Sequence, residues 1–66
     1  MKARYDLYAA IRDDNDYTDY RVAKETGIGA ATLSDWKNGV TVPKADKLFL
    51  IANLFGVAIE RFFQEG

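Results

Sequence analysis

Glycine divides this sequence into stretches that have room for short helices only. Gly27, Gly39 and Gly56 each follow a segment that carries helix-forming signals. Glycine is common just after the last helical residue because it adopts a positive φ without steric cost. Helical segments that each end at a glycine predict an all-α domain with almost no β-strand.

Five helices are predicted between these stops, over about residues 2–13, 19–26, 30–38, 44–55 and 58–64. Thr18 is placed to cap the second helix through its hydroxyl group. An Asn-Gly pair at 38–39 also occurs in β-hairpins, but its flanking residues do not alternate, so we interpret it as a helix end. The fourth helix is the most clearly periodic, because apolar residues occupy the i, i+3, i+4 and i+7 positions of one face: Leu48, Ile51, Ala52 and Phe55.

Composition excludes several classes of protein. The 66 residues are 48% hydrophobic and 29% charged, which predicts one globular domain over residues 1–66. The absence of cysteine and histidine removes disulfide frameworks, thiolate–zinc sites and histidine-dependent catalysis. The longest apolar run, Leu48 to Ala52, is far shorter than the roughly 20 residues that span a bilayer. We therefore expect a cytoplasmic protein without signal peptide, metal, cofactor or membrane contact.

The charge balance gives no general attraction to nucleic acid. The net charge is −1 and the pI is near 5.2. Residues 13–20 hold four aspartates and no basic residue, and residues 29–47 hold three lysines against two aspartates. Because each neutralised phosphate adds to the affinity for DNA, a single copy of this chain is expected to bind DNA weakly.

A helix-turn-helix pattern surrounds Gly27. Ala23 is small where the second and third helices would cross, and Ile28 and Leu33 would fill the space between them. The pattern continues along the chain through these residues: Val22-Ala23, Gly27-Ile28, Leu33 to Gly39, Pro43, Leu48, Ile51-Ala52, Phe55-Gly56-Val57 and Phe62. Together they resemble the Cro/phage-repressor-type (XRE-like) helix-turn-helix domain over about residues 4–63. The resemblance implies a five-helix, lambda-repressor-like fold in which helices 2 and 3 form the helix-turn-helix.

The resemblance also implies a function, which is sequence-specific binding of double-stranded operator DNA by a phage-repressor-type transcriptional regulator. In such domains the third helix lies in the major groove and meets base edges, while neighbouring segments contact phosphates. In this sequence the base-reading positions are Ala30, Ala31, Thr32, Ser34 and Asp35. The phosphate-contacting positions are Thr18, Asp19, Tyr20, Lys37, Asn38 and Lys44. No small-molecule effector is implied.

Several of these positions depart from what the family commonly has. Ala30 and Ala31 stand where polar residues such as glutamine often begin the reading helix, and alanine offers only apolar contact, for example to a thymine methyl group. Asp35 can accept a hydrogen bond from cytosine N4 or repel phosphate, and both interpretations stay open. Asp19 replaces a residue that often contacts phosphate. Ala30, Ala31, Asp35 and the acidic pI favour an alternative function, a protein-interaction module of the same fold with little or no DNA binding.

Other patterns have competing interpretations. Residues 34–37 match the S-x-x-K of acyl-transfer enzymes, but the companion motifs are missing, so no enzyme activity is expected. Residues 14–25 follow part of a calcium-loop spacing, yet Asp19 stands where that loop needs glycine. Trp36 either belongs to the core or stacks on bases, and Lys37 either contacts phosphate or pairs with an acid. We favour the core for Trp36 and phosphate for Lys37.

The fourth helix is apolar nearly all round, which is unusual for a surface helix of a small monomer. Outside its periodic face it carries Phe49, Leu50 and Leu54, and the fifth helix adds Phe63. Large exposed apolar patches mark contact surfaces. We therefore predict a homodimer through helices 4 and 5, with Phe49, Leu50 and Phe63 in the interface. The alternative is that Leu50 and Leu54 pack beneath the first and fifth helices.

Overall fold

The computed structural model describes residues 2–63 and contains helical elements in the predicted order. Four are α-helices and the last is a short 3₁₀-helix. No strand occurs within residues 2–63, and the predicted all-α class is confirmed. The elements are α1 (Tyr5–Asp14), α2 (Asp19–Thr26), α3 (Ala30–Lys37), α4 (Ala45–Phe55) and the 3₁₀-helix (Ile59–Phe62).

α1 begins at Tyr5, later than the predicted start near residue 2, and ends one residue beyond the predicted end. The backbone before it is extended because two hydrogen bonds hold it against distant parts of the chain. The Arg4 N–H donates to the Phe62 carbonyl at 2.9 Å. The carbonyl of the buried Ala3 accepts from the Trp36 indole N–H at 3.2 Å. These tertiary contacts outweigh the local helical signals of residues 2–4.

The prediction of an α-helix over 58–64 was wrong in type, because the structure has a single 3₁₀ turn there. The Arg61 N–H donates to the Ala58 carbonyl at 3.0 Å, which is an i→i+3 bond. A 3₁₀-helix has three residues per turn, so Ile59 and Phe62 lie on the same side, and Phe62 is fully buried. Residue 64 of the predicted helix lies outside the described residues.

Two other helix ends differ from the prediction by one residue. α4 begins at Ala45, because the backbone of residue 44 is extended, with ψ 163°. α3 ends at Lys37, and the chain then turns through Gly39, whose φ is +75°. The Val40 N–H donates to the Asp35 carbonyl at 2.8 Å. This bond is typical of a glycine-terminated helix end, and it stops α3 before residue 38.

α2 and α3 form the predicted helix-turn-helix. The Thr18 hydroxyl oxygen accepts a hydrogen bond from the Arg21 N–H at 3.2 Å, which confirms Thr18 as the cap of α2. α2 covers the predicted residues and ends at Gly27, whose φ is +77°. Residues with a Cβ rarely adopt that conformation. Gly27 therefore reverses the chain within the short turn that precedes α3 and brings Ile28 into the core.

The core fills the space between the helices and fixes the position of α3. Leu33 of α3 and Ile51 of α4 have no exposed surface. The Trp36 ring stacks on Tyr8, with ring centroids 5.0 Å apart, and meets the edge of Phe62 at 6.4 Å. Trp36 is only 4% exposed, so its interpretation as a core residue is confirmed.

Candidate nucleic-acid interface

α3 has one buried and one exposed side. Leu33 and Trp36 form its buried side. At about 100° per residue, Ala31 and Ser34 lie on the side of the helix opposite this pair. Thr32 and Asp35 are half-buried. The exposed base-reading and phosphate-contacting positions of this segment are Ala30, Ala31, Ser34, Lys37 and Asn38. The outer side of α3 is thus open to solvent along its whole length.

The first turn of α3 has no side-chain cap. Gly29 stands at the N-cap position, so no side chain accepts from the backbone N–H groups that follow. The first N–H groups of a helix have no acceptor within the helix. They lie beside the side chains of Ala30 and Ala31, which are both exposed. The first turn therefore offers a ligand only backbone N–H groups and methyl groups at these positions.

In the first turn of α2, the Asp19 carboxylate is instead bonded to side chains from α1. Asp19 accepts hydrogen bonds from the Tyr5 hydroxyl at 2.6 Å, the Tyr8 hydroxyl at 2.7 Å and Arg12 Nη1 at 2.8 Å. Burial raises the pKa of the Asp19 carboxyl, but the three donors and the charge of Arg12 outweigh burial, and that pKa lies below its ordinary value. Burial and the neighbouring Asp19 raise the pKa of the Tyr8 hydroxyl.

This Asp19 cluster, made of Asp19, Tyr5, Tyr8 and Arg12, changes the charge beside the helix-turn-helix. Arg12 also pairs with Asp13 at 2.9 Å, so one arginine offsets two of the four aspartates in residues 13–20. That stretch repels a polyanion less than the sequence count suggests. Sequence reasoning missed the cluster, although Tyr5, Tyr8 and Arg12 are spaced at i, i+3 and i+7 on one side of α1, which is the signal that could have revealed it.

Two of the predicted phosphate-contacting residues, from different elements, lie on one groove. Thr18 of the α2 cap and Lys37 of α3 line the same surface groove, which has a volume of 370 Å³. Tyr20 is 74% exposed on α2. Asn38 and Lys44 are exposed at the two ends of the segment that joins α3 to α4. Asp19 lines the groove as well, but its carboxylate is held by α1.

Comparison with known proteins assigns the family. A family model described as "Helix-turn-helix" (HTH_3) matches residues 9–62, which include all of α2, α3 and α4. The chain belongs to this helix-turn-helix family. It is a family of DNA-binding domains of the transcription-regulator type, and the resemblance noted in the sequence is confirmed.

A solved structure has the same fold as this helix-turn-helix domain. It is a transcriptional regulator from Listeria innocua, with a TM-score of 0.74 and 17% sequence identity. The match covers 100% of this chain and 65% of that chain, so this chain spans less than two thirds of the other protein's length. A search of curated proteins gave no significant match. At this level of identity the structural likeness shows a common fold.

The segment that follows α3 in this helix-turn-helix domain has exposed apolar side chains. Val40 is 66% exposed and Val42 is 36% exposed. Both valines line a groove of 380 Å³, together with Lys2 and Trp36. This side of the interface therefore offers apolar surface to a ligand.

The outer side of α4 is also apolar. Phe49 is 53% exposed and Leu50 is 43% exposed. Leu54 and Phe63 are half-buried and pack against the core. The alternative of internal packing therefore holds for Leu54 but not for Leu50. Among the predicted interface residues, Phe49 and Leu50 supply most of the exposed apolar surface.

The described residues contain no arrangement suited to a metal ion. Within residues 2–63, no group of three acidic side chains is placed to hold one. The segment with a partial calcium-loop spacing, residues 14–25, runs from the last residue of α1 through the turn into α2, and its Asp19 carboxylate is bonded to α1. None of the helices in this part of the chain has the length and apolar character that a bilayer crossing requires.

Proposed function

We propose that this helix-turn-helix domain is a sequence-specific, DNA-binding transcriptional regulator of the phage-repressor type. α3 lies in the major groove of a duplex operator with its outer side against base edges. The observation that carries the proposal is the solvent-exposed outer side of α3, on a helix whose Leu33 and Trp36 are buried in the core. A major groove about 12 Å wide accommodates one α-helix in this manner.

The surroundings of α3 support contacts with phosphates on both sides of the groove. Five candidate residues are exposed: Thr18, Tyr20, Lys37, Asn38 and Lys44. Only two of them are cations. Each neutralised phosphate contributes about 0.9 to the slope of log affinity against log salt. We therefore expect DNA binding with a shallow salt dependence and modest affinity for each half-site.

Sequence preference comes from the polar groups on the outer side and edges of α3. Ser34 and Thr32 carry hydroxyl groups that donate and accept hydrogen bonds. Asp35 is acceptor-only when ionised, and in the groove it accepts from an exocyclic amine such as cytosine N4. Asp35→Ala is expected to change which DNA sequences are preferred. A selection experiment that returns the same sequences for the wild type and the variant would contradict this role.

The working unit is proposed to be a homodimer that buries the outer side of α4. Phe49 and Leu50 are exposed on a helix whose inner side is already filled by Leu48, Ile51 and Ala52. A second copy of the chain would cover this surface, with Phe63 at its margin. In a two-fold dimer, the two α3 helices would lie about 34 Å apart, which is the length of one turn of duplex DNA. Such a dimer would bind a palindromic operator. The second half-site then compensates for the low charge of each monomer.

Selection of bound sites from random duplex DNA at low salt tests the DNA-binding proposal. We expect an enriched palindromic sequence. Lys37→Ala should weaken binding to all sequences about equally and lower the salt slope by roughly one. Lys24→Ala removes another exposed lysine, in the C-terminal half of α2, and serves as the control that leaves the slope unchanged. Failure to enrich any sequence would contradict the proposal and favour the protein-interaction module.

Sedimentation velocity at micromolar concentration, with and without operator DNA, tests the dimer. Phe49→Lys and Leu50→Lys should convert a dimer to a monomer. Ala10→Lys places the same charge on an exposed position of α1 and should leave the dimer intact. A wild-type protein that remains monomeric on and off DNA would rule out the dimer while leaving DNA binding by α3 untouched.

A further inference from the structure

The first turn of α3 has a surface chemistry that narrows what it can recognise. Ala30 and Ala31 are exposed, and the N-cap residue before them is glycine. A methyl side chain neither donates nor accepts hydrogen bonds. We infer that the first turn of α3 reads the 5-methyl groups of thymine in the operator. This inference rests on the proposed function and specifies the ligand group that the same site recognises.

The residue types that identify purines are absent from this turn. Guanine is usually read by paired hydrogen bonds from arginine or lysine, and adenine by paired bonds from asparagine or glutamine. On α3 and its cap such side chains occur only at the C-terminal end, as Lys37 and Asn38. At about 1.5 Å per residue, Lys37 lies roughly 9 Å along the helix from Ala31. The base pairs that face Ala30 and Ala31 are therefore left to apolar contact.

In the major groove, thymine has a chemical group that matches this surface. Its 5-methyl group projects into the groove, where the other three natural bases have none. Contact between that methyl group and an alanine methyl group removes apolar surface from water on both sides. Burial of one methyl group changes affinity by about fourfold. A palindromic operator contains this contact once in each half-site. Removal of both thymine methyl groups is therefore expected to weaken binding by roughly the square of the fourfold change.

The same chemistry predicts that cytosine methylation mimics thymine. 5-Methylcytosine places a methyl group at the same position of the groove as thymine does. At a position read by Ala31, a duplex with 5-methylcytosine should therefore bind better than the same duplex with cytosine. The exocyclic group of cytosine differs from that of thymine, so the gain should restore part of the affinity of the thymine duplex.

The test uses the duplex that selection yields, measured by fluorescence anisotropy. Each thymine is replaced singly by deoxyuridine, which pairs in the same way but lacks the methyl group. At sensitive positions cytosine and 5-methylcytosine are then compared. The Ala31→Gly and Ala30→Gly variants are assayed on the thymine and deoxyuridine duplexes. Ala10→Gly, at an exposed position of α1, carries a similar helix penalty and controls for loss of helix stability, checked by thermal melts.

We expect deoxyuridine to weaken wild-type binding about fourfold at one or two positions in each half-site. The Ala31→Gly variant should bind thymine and deoxyuridine duplexes equally well, while Ala10→Gly keeps the difference. Sequence-specific binding that is indifferent to deoxyuridine at every position would overturn the inference and leave the proposed function standing. A methyl effect that persists in both alanine variants would overturn the assignment to the first turn. Absence of any enriched sequence would end both proposals.

Discussion

The first turns of α2 and α3 are built in opposite ways, although they follow each other in one helix-turn-helix. At α2, the Thr18 hydroxyl caps the backbone and Asp19 binds three donors from α1. At α3, Gly29 leaves the backbone uncapped, and Ala30 and Ala31 have no polar side chains. At the start of α2, side chains of the protein satisfy hydrogen-bonding groups, whereas the start of α3 is open to solvent.

The two helix starts have different roles, because one stabilises the fold and the other is accessible to a ligand. The Asp19 carboxylate at the α2 start already has three partners, so it connects α1 to α2 and is not free for DNA. The α3 start has N–H groups without acceptors, and its position is fixed from behind by Leu33 and Trp36. Stability and recognition are thus assigned to neighbouring turns, and substitutions at each should affect different measurements.

The largest effect is expected from the buried side of α3. Leu33→Ala should lower the free energy of unfolding by about 2–5 kcal/mol, because Leu33 is fully buried and its truncation leaves a cavity. At about 0.05–0.15 kcal/mol per residue, that is a large part of the stability of this domain. Urea unfolding monitored by circular dichroism measures it. Ser34→Ala, on the exposed side of α3, is the control. Equal losses of unfolding free energy in the two variants would mean that the buried side does not hold α3 in place.

The next effect concerns the Asp19 cluster. Asp19→Ala should cost about 1–3 kcal/mol, because the hydroxyl groups of the half-buried Tyr5 and the fully buried Tyr8 and the guanidinium of Arg12 lose a common acceptor. Asp14→Ala removes an exposed carboxylate from the end of α1 and should change stability little. Similar unfolding curves for the two variants would show that the cluster does not connect α1 to α2.

The Asp19 cluster should make the stability of the fold depend on pH. The pKa of Asp19 in the folded state lies below its ordinary value, so its contribution is fully present above the unfolded-state pKa of about 3.9. That contribution is lost as pH falls through the unfolded-state value toward the lower folded-state value. Urea midpoints measured from pH 7 to pH 3 should fall less for Asp19→Asn than for the wild type. Parallel declines would contradict the role of the Asp19 carboxylate.

The smallest effects separate the two helix starts most directly. Thr18→Ala should cost about 1 kcal/mol through loss of the cap of α2. Gly29→Ser should instead stabilise α3 by a few tenths of a kcal/mol, since φ at Gly29 is −62° and an added Cβ would meet only Thr32 Oγ1, at 3.9 Å. Thermal melts measure both changes. A destabilised Gly29→Ser protein would show that the bare start of α3 is required for folding.

The parts of the fold that sequence reasoning predicted correctly are those with local chemical signals. α2 runs over the predicted residues because Thr18 marks its beginning and Gly27 marks its end. The start of α1 was predicted too early because it depends on hydrogen bonds from Arg4 to Phe62 and from Trp36 to Ala3. Those partners are far apart in sequence, and no local window contains both.

The candidate site shows the same division. The exposed side of α3 follows from the positions of Leu33 and Trp36, so its outward residues could be named from the sequence. The Asp19 cluster could not, because Asp19 meets Tyr5 and Tyr8 across 14 and 11 residues and only the packing of α1 on α2 brings them together. An aspartate that counts as a repulsive charge in the sequence is an internal acceptor in the fold.

The single tryptophan of the chain also makes the domain its own spectroscopic reporter. Trp36 is shielded from water, and the Tyr8 ring lies 5.0 Å from it. Tyrosine excitation should pass to this indole in the native protein, and its emission should shift to longer wavelength on unfolding. Because the indole lies on the inner side of α3, a duplex that docks on the outer side should leave the emission wavelength nearly unchanged. Unlabelled protein can therefore distinguish loss of structure from occupation by DNA.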